Sequence, residues 1–270
     1  MSLSPSKFEN ILVMGKSGAG KQPRIDVFKT DFGLTQLSTG NIFRSFMKIF
    51  KDAAYEDDIN QFYDDNKNSF IPDDKIKGIL GSGIDNSIID DFLLGLKAHY
   101  YVSNGKYVPD SLTNMLFESY FSKSDYKGMV LDGYPRTVAQ AEYLLQLTSE
   151  KGTKIDAIVL VENEDDAIIK RTMGRRICPS CGAVFHLEFK PPKEGKFCTK
   201  CETEVILRSD DTEEKLRTRL KEFRDKTMPT INFLSKKGIP VVKVEGNLPV
   251  FTEEAVKQSV VDGLKEAGLL

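Results

Sequence analysis

The stretch Phe8-Glu9-Asn10-Ile11-Leu12-Val13-Met14-Gly15-Lys16-Ser17-Gly18-Ala19-Gly20-Lys21 decides the fold. Its first half, Phe8 to Met14, is a short apolar run that stops at glycine, the pattern of a strand buried in a parallel sheet. Its second half, Gly15 to Lys21, fits the first seven positions of the phosphate-binding P-loop, set as that loop requires between a strand and a helix. Gly15, Gly18 and Gly20 let the backbone fold tightly, so that N–H groups along Ser17 and Ala19 converge on phosphate oxygens. The start of the next helix adds partial positive charge, and Lys21 reaches for the β and γ phosphates. A departure follows at once. Gln22 and Pro23 stand where such a loop usually offers a serine or threonine hydroxyl, and Pro23 brings no N–H. The loop is expected to bind phosphate less well than usual.

Outward from this stretch, a helix is expected from about Gly20 to Phe32 with Gly33 as its stop. A second helix should start at Gly40 and carry Ile42, Phe43, Phe46, Met47 and Phe50 on one face. Met129 to Leu131, Ala157 to Val161 and Gly238 to Val244 read as further strands. Helices are expected over Thr137 to Leu147 and Thr252 to Ala267. Alternating strands and helices predict an α/β fold with a parallel sheet, and a ligand site at the carboxyl ends of its strands.

Two stretches break the rhythm. Asp52 to Phe92 is acidic and irregular, and is read as a solvated surface insertion. Cys178 to Cys201 is too short and polar to build its own hydrophobic core, so a metal must supply the fold. Cys178-x2-Cys181 and Cys198-x2-Cys201 contain all four cysteines of the chain, in the spacing of a four-thiolate zinc site. Four thiolates close the coordination sphere, which makes such a metal structural. His186, inside this stretch, is expected on its surface.

Composition narrows the function classes. With 270 residues, 40% hydrophobic and 29% charged, the chain reads as an ordinary soluble globular protein. A net charge of −2 gives no support to broad electrostatic binding of nucleic acid or an anionic membrane. No apolar run approaches the roughly 18 residues of a spanning helix, and the first seven residues lack the apolar centre of a signal peptide. A cytoplasmic monomer is expected, with no nucleic-acid or membrane partner.

Several separated segments together resemble one family, the adenylate kinases. Leu37-Ser38-Thr39-Gly40-Asn41-Ile42-Phe43-Arg44 resembles the family's L-S-T-G-D-x-x-R, with Asn41 in place of the usual Asp. Gly105-Lys106-Tyr107-Val108-Pro109-Asp110 resembles G-x-x-V-P-D. Leu131-Asp132-Gly133-Tyr134-Pro135-Arg136-Thr137, followed by Gln140-Ala141, resembles L-D-G-[FY]-P-R-T-x-x-Q-A. Arg171-Thr172-Met173-Gly174-Arg175-Arg176 resembles the R-x-x-G-R-R entry to a lid, while Arg208-Ser209-Asp210-Asp211 and Arg217-Thr218-Arg219 resemble its exit.

The resemblance implies a nucleoside monophosphate kinase core with a parallel sheet, a helical AMP-binding region and a zinc-ribbon lid. Residues 1–37, 109–173 and 212–270 would form the core, 38–108 the AMP-binding region with its acidic insertion at about 51–92, and 174–211 the lid. It implies transfer of a phosphoryl group from ATP to AMP with Mg²⁺, giving ADP. Gly15, Ser17, Gly18, Ala19, Gly20, Lys21, Gln22, Arg171 and Gly246 would bind ATP, with Arg171 on the adenine face. Thr39, Arg44, Val108, Gly133, Arg136 and Gln140 would bind AMP, Gln140 and Thr39 favouring adenine. Lys21, Arg136, Arg175, Arg208 and Arg219 would surround the transferred group, and Asp132 would hold hydrated Mg²⁺. Arginines suit this work because a planar fork grips phosphate oxygens bidentately and stays charged. Two other readings stay open on the residues. Gln22, Pro23 and Asn41 also suit a non-catalytic nucleotide-binding or interaction protein derived from this fold, and the acceptor could be another nucleoside monophosphate.

Overall fold

The computed structural model describes residues 8–104, 108–188, 190–207 and 211–270. The first strand, β1 (Asn10–Gly15), passes through the glycine loop into α1 (Lys21–Asp31), and β2 (Thr35–Ser38) runs directly into α2 (Thr39–Asp52). A small hairpin of β3 (Tyr63–Asp64) and β4 (Ser69–Phe70) precedes α3 (Asp73–Leu80), α4 (Ile89–Ser103) and α5 (Asp110–Phe121). β5 (Met129–Asp132), α6 (Val138–Glu150), β6 (Ala157–Glu162) and α7 (Asp165–Met173) follow. A second hairpin, β7 (Arg175–Ile177) and β8 (Val184–His186), opens the four-cysteine segment. The chain ends with α8 (Glu213–Glu222), a π-helical turn, α9 (Met228–Lys236), β9 (Val241–Glu245) and α10 (Glu253–Glu266).

Five strands form the central sheet in the order β2-β5-β1-β6-β9, every pair parallel. Successive side chains in a strand point to opposite faces, so the apolar run of β1 feeds two cores. Leu12 and Met14 pack on one face with Phe117, Leu144 and Leu234, while Ile11 and Val13 pack on the other with Ile25, Phe28 and Val260. This is the α/β P-loop kinase fold that the sequence predicts. Because the strands are parallel, their carboxyl ends lie along one edge, and Gly15, Asp132, Glu162 and Glu245 end there together.

The main correction concerns residues 52–92, which are folded and not irregular. The hairpin, α3 and the start of α4 close around a separate core that includes Phe50, Phe62, Ile76, Leu80, Phe92 and Leu96. Its apolar residues are spaced across short elements, so no long period shows in the sequence. The acidic pairs are informative in hindsight. Asp73-Asp74 and Asp90-Asp91 occupy the first turns of α3 and α4, where carboxylates complement the helix dipole. Among the described residues, no helix is long and apolar enough to cross a membrane.

Candidate active site

The loop after β1 has the backbone that its glycines require. Gly15, Gly18 and Gly20 have φ of 149°, 85° and 100°. A Cβ on Gly15 would stand 2.5 Å from the Val161 carbonyl oxygen, and one on Gly18 would stand 2.6 Å from Thr172 Oγ1. The loop is therefore seated on β6 and α7 by close backbone approach. Ala19 is buried, Ser17 half-buried, and the Gly246 N–H donates to the Glu162 carbonyl at 2.6 Å, bringing the turn after β9 against the loop. Lys16 fixes the same region by donating to the Asn163 carbonyl at 2.9 Å and pairing with Asp165 at 2.6 Å.

Lys21 folds back over the loop, its ammonium donating to the Gly15 and Lys16 carbonyl oxygens at 2.9 and 3.0 Å. Its pKa is drawn down to about 8, first by loss of water around the ammonium; Asp132 opposes the shift, while Arg136 and Arg175 add to it. Three charges from 111 to 154 positions further along the chain thus act on Lys21.

The altered end of the loop has its own connection to this group. Gln22 and Gln36 pair their side-chain amides at 3.1 Å, and Gln36 Nε2 also donates to Asp132 Oδ2 at 3.3 Å. The residue after Lys21 is thereby linked through Gln36 to the carboxylate expected to hold Mg²⁺. Gln36 escapes a sequence reading because β2 is a four-residue edge strand with Leu37 as its one buried residue.

A second group gathers at the end of β5. Buried Thr39 lies 3.0 Å from the Gly133 carbonyl oxygen, to which its hydroxyl donates, and Arg136 Nε donates to the same oxygen at 2.9 Å. Arg136 remains exposed. Arg44, also exposed, donates to the Asn41 side-chain oxygen at 2.5 Å. Asn41 holds this guanidinium without neutralising it, a physical consequence of the asparagine found where the family usually has aspartate. Gln140 is buried, its side-chain oxygen accepting from the Arg136 N–H at 2.8 Å and its NH₂ donating to Asp110 Oδ1 at 2.7 Å. Its amide therefore positions the Arg136 backbone. Val108 packs partly buried against the adjoining core.

The third group flanks the four-cysteine segment. Arg171 lies in the last turn of α7, and Arg175 opens β7 with a two-pronged hydrogen bond to Asp211, Nε–Oδ2 at 2.9 Å and Nη2–Oδ1 at 2.6 Å. Asp211 is fully buried, so this pair fixes the Arg175 fork. Arg219 lies half-buried on α8. Arg208, and Gly105 to Tyr107 of the quoted motif, lie outside the described residues. His186 is not the simple surface residue expected: it faces Arg175 across the β7–β8 ladder, and its Nε2 lies 3.0 Å from the Arg171 carbonyl oxygen, donating to it. A Cβ on Gly174 would stand 2.5 Å from that imidazole nitrogen.

The Sγ atoms of Cys178, Cys181, Cys198 and Cys201 all lie within 4.8 Å of one another. The nearest pairs stand at 3.4 and 3.5 Å, far beyond the roughly 2.05 Å of a disulfide and near the edge of a tetrahedron with metal–sulfur bonds of about 2.3 Å. Backbone N–H groups of Cys181 and Lys200 point at the Cys178 and Cys198 sulfurs, which favours thiolate. This donor set fits a structural zinc ion.

The family model described as adenylate kinase matches residues 87–239. An adenylate kinase from Symbiobacterium thermophilum is 34% identical over 242 residues, 89% of this chain and 93% of that protein. One from Thermoanaerobacter pseudethanolicus is 32% identical, covering 96% and 99%, and one from Bacillus subtilis is 32% identical, covering 95% and 100%.

Proposed function

The chain belongs to the adenylate kinase family, and from that premise we propose that it moves the terminal phosphoryl group of ATP to AMP, reversibly giving two ADP. The observation that carries this reading is the convergence of Lys21, Asp132, Arg136 and Arg175 at the carboxyl edge of the sheet. Phosphoryl transfer needs alignment and stabilisation of negative charge more than covalent chemistry, and one carboxylate among three cations is suited to it.

In this account Lys21 and the N–H groups of Gly15 to Gln22 bind the ATP phosphates. Arg171 and Gly246 lie at its adenosine end. Arg44 and Arg136 grip the AMP phosphate, whose oxygen is the nucleophile, and Thr39, Val108, Gly133 and Gln140 frame the rest of that nucleotide. For Gln140 to read the adenine edge, its NH₂ must leave Asp110, a rotation that AMP binding has to drive. Arg175, Arg208 and Arg219 close on the transferred group. Mg²⁺ bound to ATP neutralises phosphate charge, and Asp132 would hold it through water. Residues 174–211 form a lid stiffened by zinc on the four cysteines, residues 38–108 bind AMP, and the remainder is the core. Lid closure excludes water, which would otherwise accept the phosphoryl group. The protein works in the cytoplasm as a monomer.

Competition among nucleoside monophosphates tests the acceptor site. AMP should outcompete UMP, CMP and GMP by more than about tenfold in kcat/KM, and a preference for UMP would overturn the roles given to Thr39 and Gln140.

A further inference from the structure

The arginine placed at the adenine face does not stand free. The guanidinium carbon of Arg171 lies 4.8 Å from the centroid of the Phe251 ring, and that of Arg24 lies 5.4 Å from the same centroid. Both distances are within cation–π range. Phe251 sits between β9 and α10, immediately before the cap Thr252, and keeps 46% of its surface exposed. Its neighbour Val250 is 64% exposed. The ring is thus held at the surface by two cations and retains area for another π system.

Arg24 anchors this arrangement from beneath. It is fully buried on the face of α1 that also buries Ile25 and Phe28. Its Nη1 donates to the Gly20 carbonyl at 3.1 Å and its Nη2 to the Glu245 carbonyl at 2.6 Å, while Nε has no hydrogen-bond partner among the described residues. A buried cation is unfavourable unless it is compensated. Here the compensation comes from two carbonyl oxygens and an aromatic ring, and it clamps the phosphate loop to the turn after β9. All the parts meet at Gly20, where a Cβ would stand 3.1 Å from Arg171 Nη1, 3.2 Å from Arg24 Nη1 and 3.3 Å from the Gly246 carbonyl oxygen. The last glycine of the phosphate loop is therefore next to an arginine–phenylalanine stack.

We propose that Phe251 is a base-stacking residue of the donor-nucleotide site, and that the purine joins the Arg171–Phe251 stack. The proposal rests on the donor-site reading given above. Stacking on an aromatic ring adds affinity and tolerates any base, since every base has a π face.

Equilibrium calorimetry of ATP binding to the zinc-loaded full chain tests it, with wild type, Phe251→Ala and Phe251→Leu compared. Phe251→Ala should weaken ATP binding about tenfold, and Phe251→Leu, which keeps bulk without a π face, should restore less than half of that loss on a logarithmic scale. AMP binding should stay within about twofold of wild type in both variants. Wild-type ATP affinity in either variant overturns the proposal. Tighter binding by Phe251→Ala also overturns it, because the ring would then be blocking the base. A wild type that binds no ATP instead defeats the donor-site reading, and this proposal with it.

Discussion

At the residue scale, the end of the phosphate loop sets the chemistry apart. Pro23 removes both a hydroxyl and an N–H from the first turn of α1, and the Gln22–Gln36–Asp132 hydrogen bonds occupy the same neighbourhood. Pro23→Thr restores the donors, and a hydrogen bond to a charged oxygen is worth about 1.5–3 kcal/mol. The variant should raise kcat/KM for ATP by about tenfold in steady-state assays; an unchanged value would mean that other groups already satisfy the phosphate. Lys21 gives a pH prediction with a definite sign. Its free-state pKa near 8 must rise when a triphosphate settles on it, because an anion favours the ammonium. ATP binding at about pH 9 should therefore take up a proton, and affinity should fall as pH rises above about 8. Calorimetry in buffers of different ionisation heat checks this, with uptake at about pH 9 and little at about pH 7; no buffer dependence at the higher pH would contradict it.

At the element scale, stability is distributed unevenly. The sheet strands are buried in two large cores, whereas the four-cysteine segment has a core of Cys178, Phe185, Cys198 and Val205 with Ala183 packed against it. Two of the four buried residues belong to the cysteine set that fits zinc, so a metal bound there and the local fold would be one interaction. Cys198→Ser should strip amide-exchange protection from β7 and β8 while leaving β1, β5 and β6 protected; protection retained in the hairpin would show that it folds without metal. Asp211 makes the complementary case. Asp211→Ala leaves the Arg175 fork without its buried partner, a change worth roughly 3–5 kcal/mol in buried pairs. Melting temperature should fall and phosphoryl transfer should slow; full activity would separate Arg175 from the reaction. The core elements were legible because β1, β5 and β6 are continuous apolar runs and their helices carry clear caps, such as Thr137 and Thr252. The acidic stretch was not, because its core is gathered from separated places along the chain: Phe50, Phe62, Ile76 with Leu80, Ile84, and four residues of α4. The motif residues were legible as a set, but their working partners were not. Gln36 and Arg24, and the bond that Asp110 of the quoted motif makes to Gln140, become visible only when segments distant in sequence are brought side by side.

At the scale of the whole molecule, charge is segregated. Residues 52–92 carry eleven acids and three lysines, a balance of −8 in a chain whose total is −2, so the remainder balances at +6. The cations needed for the phosphates are thus concentrated away from the acidic lobe, and the phosphate edge holds Lys21, Arg136 and Arg175 against Asp132. This arrangement explains how a protein with almost no net charge can hold two highly charged nucleotides. We infer that these groups transfer a phosphoryl group despite the altered loop. The most direct measurement is formation of ADP from ATP, AMP and Mg²⁺ by the zinc-loaded chain, with Arg136→Ala beside it. The wild type should form two ADP per ATP consumed, and the variant should lose at least about a hundredfold in rate. A folded, zinc-loaded wild type that binds ATP and AMP yet forms no ADP would contradict it, and would identify the chain as a nucleotide-binding protein built on a kinase fold.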